Sequence, residues 1–435
     1  MNNQQEITAK IGNYRWTIVS LVFFATTVNY LDRQVISLLK PILEKEFSWT
    51  ETDYSNIVIA FQLAYAIGLL GFGRIIDKIG TKLGYALSLT VWSFASIAHA
   101  FATSTFGFGA ARAALGLSEA GNFPAAVKTV AEWFPKKERA LAAGIFNSGS
   151  NVGAIIAPIA VPWIAVTWGW QEAFIITGAI GLIWLVFWFI FYEIPAKQKR
   201  LGKAEYAYIH SDPEEQVNVN QEPVKWLKLL GFKQTWAFVF GKFMTDPIWW
   251  FLLFWLPSFL KSEYNMTGMQ VSLPLAVVYT MTCIGSIGGG WLSGFLIKKG
   301  WPVYKSRKAS MLAFAFCVIP VVAAQALGKI NPWIAVFVIG LAASAHQAWS
   351  ANMYTISSDM FPKKAVASVV GIGSMAGAIG GILIARLAGV LLDHYKGLGH
   401  IETGYYIMFI IAGLAYLTAW LIIHFLAPKM KQVDL

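Results

Sequence analysis

The stretch Glu132-Trp133-Phe134-Pro135-Lys136-Lys137 returns 227 residues later as Asp359-Met360-Phe361-Pro362-Lys363-Lys364. At the same offset Ala140 meets Ala367, Gly144 meets Gly371 and Gly153 meets Gly380. One short match is within reach of chance, but a string of them at a single offset is better explained by duplication. Both copies join two long apolar runs through a short basic turn. The chain therefore reads as two related halves, each built from apolar segments that turn back at a charged surface.

Working outward, the 435 residues are 57% hydrophobic and 13% charged, with a mean hydropathy of +0.55. Runs of about 20 apolar residues span a bilayer as helices. Such runs lie near 15–40, 54–76, 82–102, 104–131, 138–162, 170–193, 235–261, 268–298, 307–327, 331–357, 362–392 and 402–427. The expected fold is an all-α integral membrane protein with twelve transmembrane helices in two six-helix bundles. The one long polar stretch, 195–234, crowds Lys, Glu, Gln, Pro and Asn without apolar period. It divides an N-terminal bundle, 1–194, from a C-terminal bundle, 235–435. Parallel six-helix repeats suit a rocking transporter with its site between the halves.

Charge placement orients this arrangement. With an even number of crossings, 24 of the 34 Lys and Arg fall on the side of the termini, and only Lys40, Lys45, Lys261, Lys329 and Lys396 fall on the other. Basic residues stay cytoplasmic, so both termini are expected inside. The net charge of +11 is then a topology signal rather than a nucleic-acid footprint. The polar N-terminus shows no removable signal peptide. Cys283 and Cys317 lie inside apolar runs, where a disulfide is not expected.

Two carboxylates and two arginines sit where hydrocarbon is expected in the first half, namely Asp32 and Arg33 in the first run and Arg112 and Glu119 in the fourth. Each costs several kcal/mol, about 3 on insertion scales, unless it faces a wet cavity or a partner. Arg112 and Glu119 are two turns apart and share a helix face. Counting rise per residue brings Asp32 and Arg112 to similar depth, so a contact between them is expected, with Glu119 nearer the midplane. The competing reading, a static ion-pair network, has little to recommend it because buried pairs add little net stability. Burial raises a carboxylate's proton affinity and a guanidinium lowers it again. An arginine swinging between Asp32 and Glu119 would switch each between proton-holding and proton-free states.

Arg33 offers a planar, permanently charged fork that suits a carboxylate, although it could instead snorkel to headgroups. Tyr30 and Tyr65 are candidate hydroxyl donors. Asn147, Ser150 and Asn151, with Gln347, Asn352 and Ser374, supply neutral polar groups that suit a polyol, while helix-to-helix bonding is the alternative for each. Trp249 and Trp250 offer apolar ring faces, and packing is the alternative for each. His346 is assigned to helix packing. Lys242 and Asp246 are assigned to an ion pair near the cytoplasmic end of their helix.

The turn Gly73-Arg74-Ile75-Ile76-Asp77-Lys78-Ile79-Gly80-Thr81-Lys82 resembles the loop signature of the major facilitator superfamily. Gly73 permits close helix approach, Asp77 can accept from a neighbouring helix N-terminus, and Lys78 with its basic neighbours holds the turn at the surface. These residues and Arg139 are the candidate gate. The second half keeps only Gly289-Gly290 to Lys298-Lys299-Gly300, with Ser293 and Gly294 where an acid is expected. Any gate there should be weaker or differently built.

The motifs Asn29-Tyr30-Leu31-Asp32-Arg33, Arg112-(x6)-Glu119-(x4)-Pro124, Glu138-Arg139 after Phe134-Pro135, and Asp246-Pro247-Ile248-Trp249-Trp250 together resemble the anion:cation symporter branch of that superfamily. His346-Gln347 and Asp359-Met360-Phe361-Pro362 look most like bacterial hexuronate and sugar-acid permeases (glucuronate, galacturonate, galactonate). The resemblance implies proton sites at Asp32 and Glu119 coupled by Arg112, a substrate carboxylate on Arg33, and a role for Tyr65. It implies a proton-coupled symporter importing a small sugar-acid anion by alternating access. Such a protein sits as a monomer in the lipid bilayer of a bacterial inner membrane. Another small organic anion or phosphate is the alternative cargo. An integral-membrane enzyme is more distant, since no nucleophile elbow, metal spacing or phosphate loop is legible. No cofactor, metal or nucleic-acid partner is expected.

Overall fold

A computed structural model describes residues 11–49, 51–212, 226–266 and 269–434. Lys10 of the basic inventory and residues 213–225 of the linker lie outside them. Among the described residues there is no β-strand. Each of the twelve apolar runs is helical over most of its described length. The first half holds α1 (Tyr14–Phe47), α2 (Glu51–Ile79), α3 (Thr81–Ala98), α4 (Thr105–Glu119), α5 (Asn122–Trp133), α6 (Lys136–Trp168) and α7 (Trp170–Phe191). Two short helices follow, α8 (Lys203–Ile209) and α9 (Trp226–Leu229). The second half holds α10 (Lys233–Tyr264), α11 (Met269–Lys298), α12 (Val303–Val318), α13 (Ala324–Gly328), α14 (Pro332–Met360), α15 (Val366–Gly397) and α16 (Ile401–Leu426). Among the described residues, nine helical spans are long and apolar enough to cross a membrane by length and composition alone.

Helix boundaries follow local chemistry. Ser104 caps α4 by accepting from Gly107 N at 3.1 Å. Asn331 caps α14 by accepting from Trp333 N at 2.9 Å, with Pro332 in the first turn. The run 104–131, expected as one helix, breaks between Glu119 and Asn122. Pro124 has no N–H to give the Ala120 carbonyl, which removes the hydrogen bond that would carry the helix through. Part of the expected featureless linker is also ordered. Glu205 of α8 accepts from Tyr14 N at 3.0 Å, Arg15 N at 3.1 Å and Arg15 Nη1 at 3.0 Å, so an anion sits on the N-terminus of α1.

The packing repeats with the sequence. In the first half α1 packs on α6 and α2 on α4, while in the second α10 packs on α15 and α11 on α14. The halves meet where α6 crosses α11 and α2 crosses α15. These crossings explain which residues recur at the 227-residue offset. A Cβ on Gly144 would collide with the Ser286 carbonyl, and one on its repeat mate Gly371 with that of Leu69. Likewise a Cβ on Gly290 would meet Ala140, and one on Gly73 would meet Ala367, the repeat mate of Ala140. All four contacts lie toward the face that carries α8, the start of α1 and the C-terminal tail, called here the linker face. Large apolar side chains such as Phe24, Ile159, Val166, Val390 and Phe425 are exposed around the outside, as a surface bathed in lipid requires.

Candidate functional site

Between the halves lies a cavity lined by both. The first half lines it with Tyr30 and Arg33 of α1, Tyr65 of α2, Phe123 of α5, and Asn147 and Ser150 of α6. From the second half come Lys242, Asp246, Trp249 and Trp250 of α10, His346, Gln347, Ser350 and Tyr354 of α14, and Ser374 of α15. A second cavity shares Arg33, Tyr65 and Trp250, and runs between Phe61 and Phe254 away from the linker face.

Arg33 is the centre of the first-half wall. Its Nε and Nη2 lie 3.1 and 3.0 Å from Glu119 Oε2, and Nη2 reaches Asn29 Oδ1 at 3.4 Å. The guanidinium carbon sits 4.7 Å from the ring centroids of both Tyr30 and Tyr65. The side chain is thus turned inward against an acid and two rings, not outward to headgroups.

The contact expected between Asp32 and Arg112 does not occur among the described residues. Arg112 Nη2 donates to the Arg33 carbonyl, and its guanidinium lies over Phe61 at 4.9 Å. Asp32 Oδ1 accepts from Ser96 Oγ at 2.9 Å. Asp32 Oδ2, Glu119 Oε1, and Arg112 Nε and Nη1 are buried without a protein partner among the described residues. Unsatisfied charged atoms at full burial are costly, and here four of them lie on three neighbouring side chains.

The neutral polar residues separate by geometry. Asn147 Nδ2 donates across the halves to Gln347 Oε1 at 2.7 Å and to Ser286 Oγ at 3.2 Å. Ser150 and Ser374 line the cavity. Asn352 does not line it; its amide donates to Gly289 O and Ala348 O, both at 3.0 Å, tying α14 to α11. Asn151 is buried outside the lining, with its Nδ2 unpartnered among the described residues. Trp249 stacks on His346 at 5.3 Å with rings 6° apart. His346 Nδ1 lies 2.6 Å from Tyr416 Oη, so the histidine both packs and lines.

Sequence reasoning missed Lys242, Asp246, Ser350 and Tyr354 as cavity residues. Lys242 and Asp246 pair at 2.7 Å as expected, yet they face the central cavity rather than the end of their helix. The signal was available, because Lys242, Asp246, Trp249 and Trp250 fall at i, i+4, i+7 and i+8, one helical stripe.

On the linker face, Asp77 holds Lys128 Nζ at 2.8 Å and accepts from Ser368 N at 2.7 Å and Ala367 N at 3.3 Å, at the start of α15. Gly73 makes the close approach beside it, and Lys78 is exposed. Arg139, fully buried, donates to Phe134 O at 2.9 Å and Ala131 O at 3.2 Å in its own half, and to Ser358 O at 3.1 Å in the other. In the second half Asp359 supplies the missing acid. Arg307 Nε lies 3.1 Å from Asp359 Oδ2, Nη1 donates to Ser293 Oγ at 2.8 Å, and Nη2 to Lys136 O at 2.7 Å in the first half.

The sequence profile of the Major Facilitator Superfamily matches residues 22–385. The chain is 33% identical over 385 residues to the hexuronate transporter of Escherichia coli K12, covering 88% of this chain and 89% of that one. It is 34% identical over 284 residues to the galacturonate transporter of Dickeya chrysanthemi, covering 65% and 82%. Its structure is similar to that of the proton:xylose symporter XylE bound to 6-bromo-6-deoxy-D-glucose, with a TM-score of 0.74, 14% identity and 94% of each chain covered. The chain is therefore a transporter rather than an enzyme, and it belongs to the Major Facilitator Superfamily.

Proposed function

We propose that this chain is a proton-coupled symporter importing a hexuronate or related sugar-acid anion by alternating access. In this reading it crosses a bacterial inner membrane twelve times as a monomer, with both termini and the linker face cytoplasmic. The observation that carries it is Arg33, a fork held by Glu119 between two tyrosine rings at the junction of the two cavities. A proton reaching Glu119 would loosen the ion pair and release the fork to a substrate carboxylate. When the linker face opens, loss of that proton lets Glu119 reclaim Arg33, and the anion leaves. Asp32 and Arg112, with their unpartnered buried atoms, are the relay beside this pair. The amides of Asn147 and Gln347, which both donate and accept, and the apolar ring face of Trp249 suit a polyol better than phosphate.

Purified protein in liposomes tests this directly. Counterflow of labelled D-glucuronate and D-galacturonate, with gluconate, galactonate and phosphate as competitors, reads the cargo. An imposed proton gradient reads the coupling. Glu119→Gln should abolish gradient-driven accumulation and leave counterflow measurable. Undiminished accumulation would remove Glu119 from coupling, and competition by phosphate alone would remove the sugar acid.

A further inference from the structure

The α10 stripe opposite Arg33 presents an acid to the cavity, which is an odd choice for a site meant to hold an anion. Lys242 Nζ engages Asp246 Oδ2 at 2.7 Å and the Tyr354 hydroxyl at 3.3 Å, and lies 4.6 Å from the Tyr354 ring. Two of its three N–H donors are therefore committed to groups of its own half. Asp246 Oδ2 is packed where α15 has Gly377, and any Cβ there would strike the carboxylate. Among the described residues Oδ1 has no hydrogen-bond partner, and the Asp246 side chain keeps 17% of its surface, in the cavity it lines. The indoles of Trp249 and Trp250, three and four residues on and so about one turn further along, line the same space.

We infer that Asp246 reads the hydroxyl-bearing end of the substrate and excludes a second carboxylate there, making the site selective for mono-acids over di-acids of the same sugar. This rests on the sugar-acid reading above and extends it to the end of the molecule that Arg33 does not hold. A hydroxyl can donate to Oδ1 without disturbing anything, and an apolar sugar face can lie on an indole. A carboxylate at that position would meet the Asp246 anion. To reach Lys242 it would have to sit against the Asp246 carboxylate or displace it, and displacement leaves that acid buried and unpaired, which is the costly outcome for any broken internal pair. The wall thus gains a hydrogen bond with one class of ligand and loses an ion pair with the other.

The experiment is competition against labelled counterflow in liposomes, using pairs that share every internal stereocentre. D-glucuronate is set against D-glucarate, and D-galacturonate against galactarate. The native chain should prefer the mono-acid of its better pair by at least about tenfold, equivalent to about 1.4 kcal/mol. Asp246→Asn keeps the shape, removes the repulsion and frees Lys242, so the preference should collapse to within about threefold. Quenching of tryptophan fluorescence by the same four compounds, on detergent-purified protein with a cooperative melt, separates lost selectivity from lost folding. Equal inhibition by both members of a pair in the native chain overturns the assignment, and so does an unchanged ratio in Asp246→Asn. A native chain that binds none of the four anions refutes the sugar-acid reading itself, and this assignment with it.

Discussion

Replacing Asp77 by Asn should loosen the linker face by a calculable amount, because the bonds of Asp77 divide cleanly between the halves. Lys128 of α5 belongs to the same half, so its 2.8 Å pair with Asp77 survives any rocking of one half against the other. Breaking it destabilises both conformations alike and leaves their balance untouched. The bonds from Ser368 N and Ala367 N are different, since they come from the first turn of α15 and exist only while the linker face is shut. Asparagine keeps an oxygen acceptor but loses the charge facing a helix N-terminus. Capping and dipole effects of this kind amount to about 1–2 kcal/mol, which is about 5- to 30-fold in the population open at the linker face. The readout is thiol labelling at Ser286→Cys with Cys283 and Cys317 replaced by Ser. Ser286 is fully buried, with its hydroxyl bonded to Gly144 O at 2.9 Å across the halves. A membrane-impermeant maleimide supplied to the linker face labels only the open population, so Asp77→Asn should accelerate labelling by the same 5- to 30-fold. A rate equal to the parent's would refute the idea that the α15 cap holds this face shut.

Two further outcomes follow from the same geometry. Arg33→Lys cannot reproduce the fork against Glu119 or the guanidinium's place 4.7 Å from the Tyr30 and Tyr65 rings; losing one charge-assisted hydrogen bond costs about 1.5–3 kcal/mol, so half-saturation for the sugar acid should rise about 10-fold or more in transport assays, and native affinity would refute the carboxylate assignment. Gly144→Leu places a branched side chain where α6 meets the Ser286 carbonyl. Protein should still reach the membrane, but the Ser286→Cys reporter should label rapidly and transport should stop; normal transport would show that this crossing is not part of closure.

The architecture was legible because membrane helices announce themselves by length and apolarity, and because duplication left its marks at the residues that touch across the halves. Gly144, Gly371, Ala140 and Ala367 recur since each sits against a carbonyl or a small residue of the opposite half. The break between α4 and α5 was less visible, as both flanks are equally apolar and only Pro124 betrays it. Asn352 was grouped with Gln347, but five residues turn a helix by about 140°, which carries it from the cavity to the α11 contact. The partners of Arg33 and Arg112 could not be read at all. Depth can be counted along a helix, whereas which of two acids an arginine chooses depends on rotations that no single-strand pattern encodes. The same limit placed Lys242 and Asp246 at the helix end, although their spacing with Trp249 and Trp250 drew the stripe plainly.

The contacts at Gly144 and Gly371 have a genetic consequence. When two side chains interlock, enlarging one can be answered by shrinking the other, and revertants map both partners. Here each glycine meets the main-chain oxygen of Ser286 or Leu69, an atom that every amino acid carries alike. A bulky replacement at either position should therefore yield no intergenic-style suppressors at its direct neighbour, and selection for restored growth should return only true reversion to a small residue.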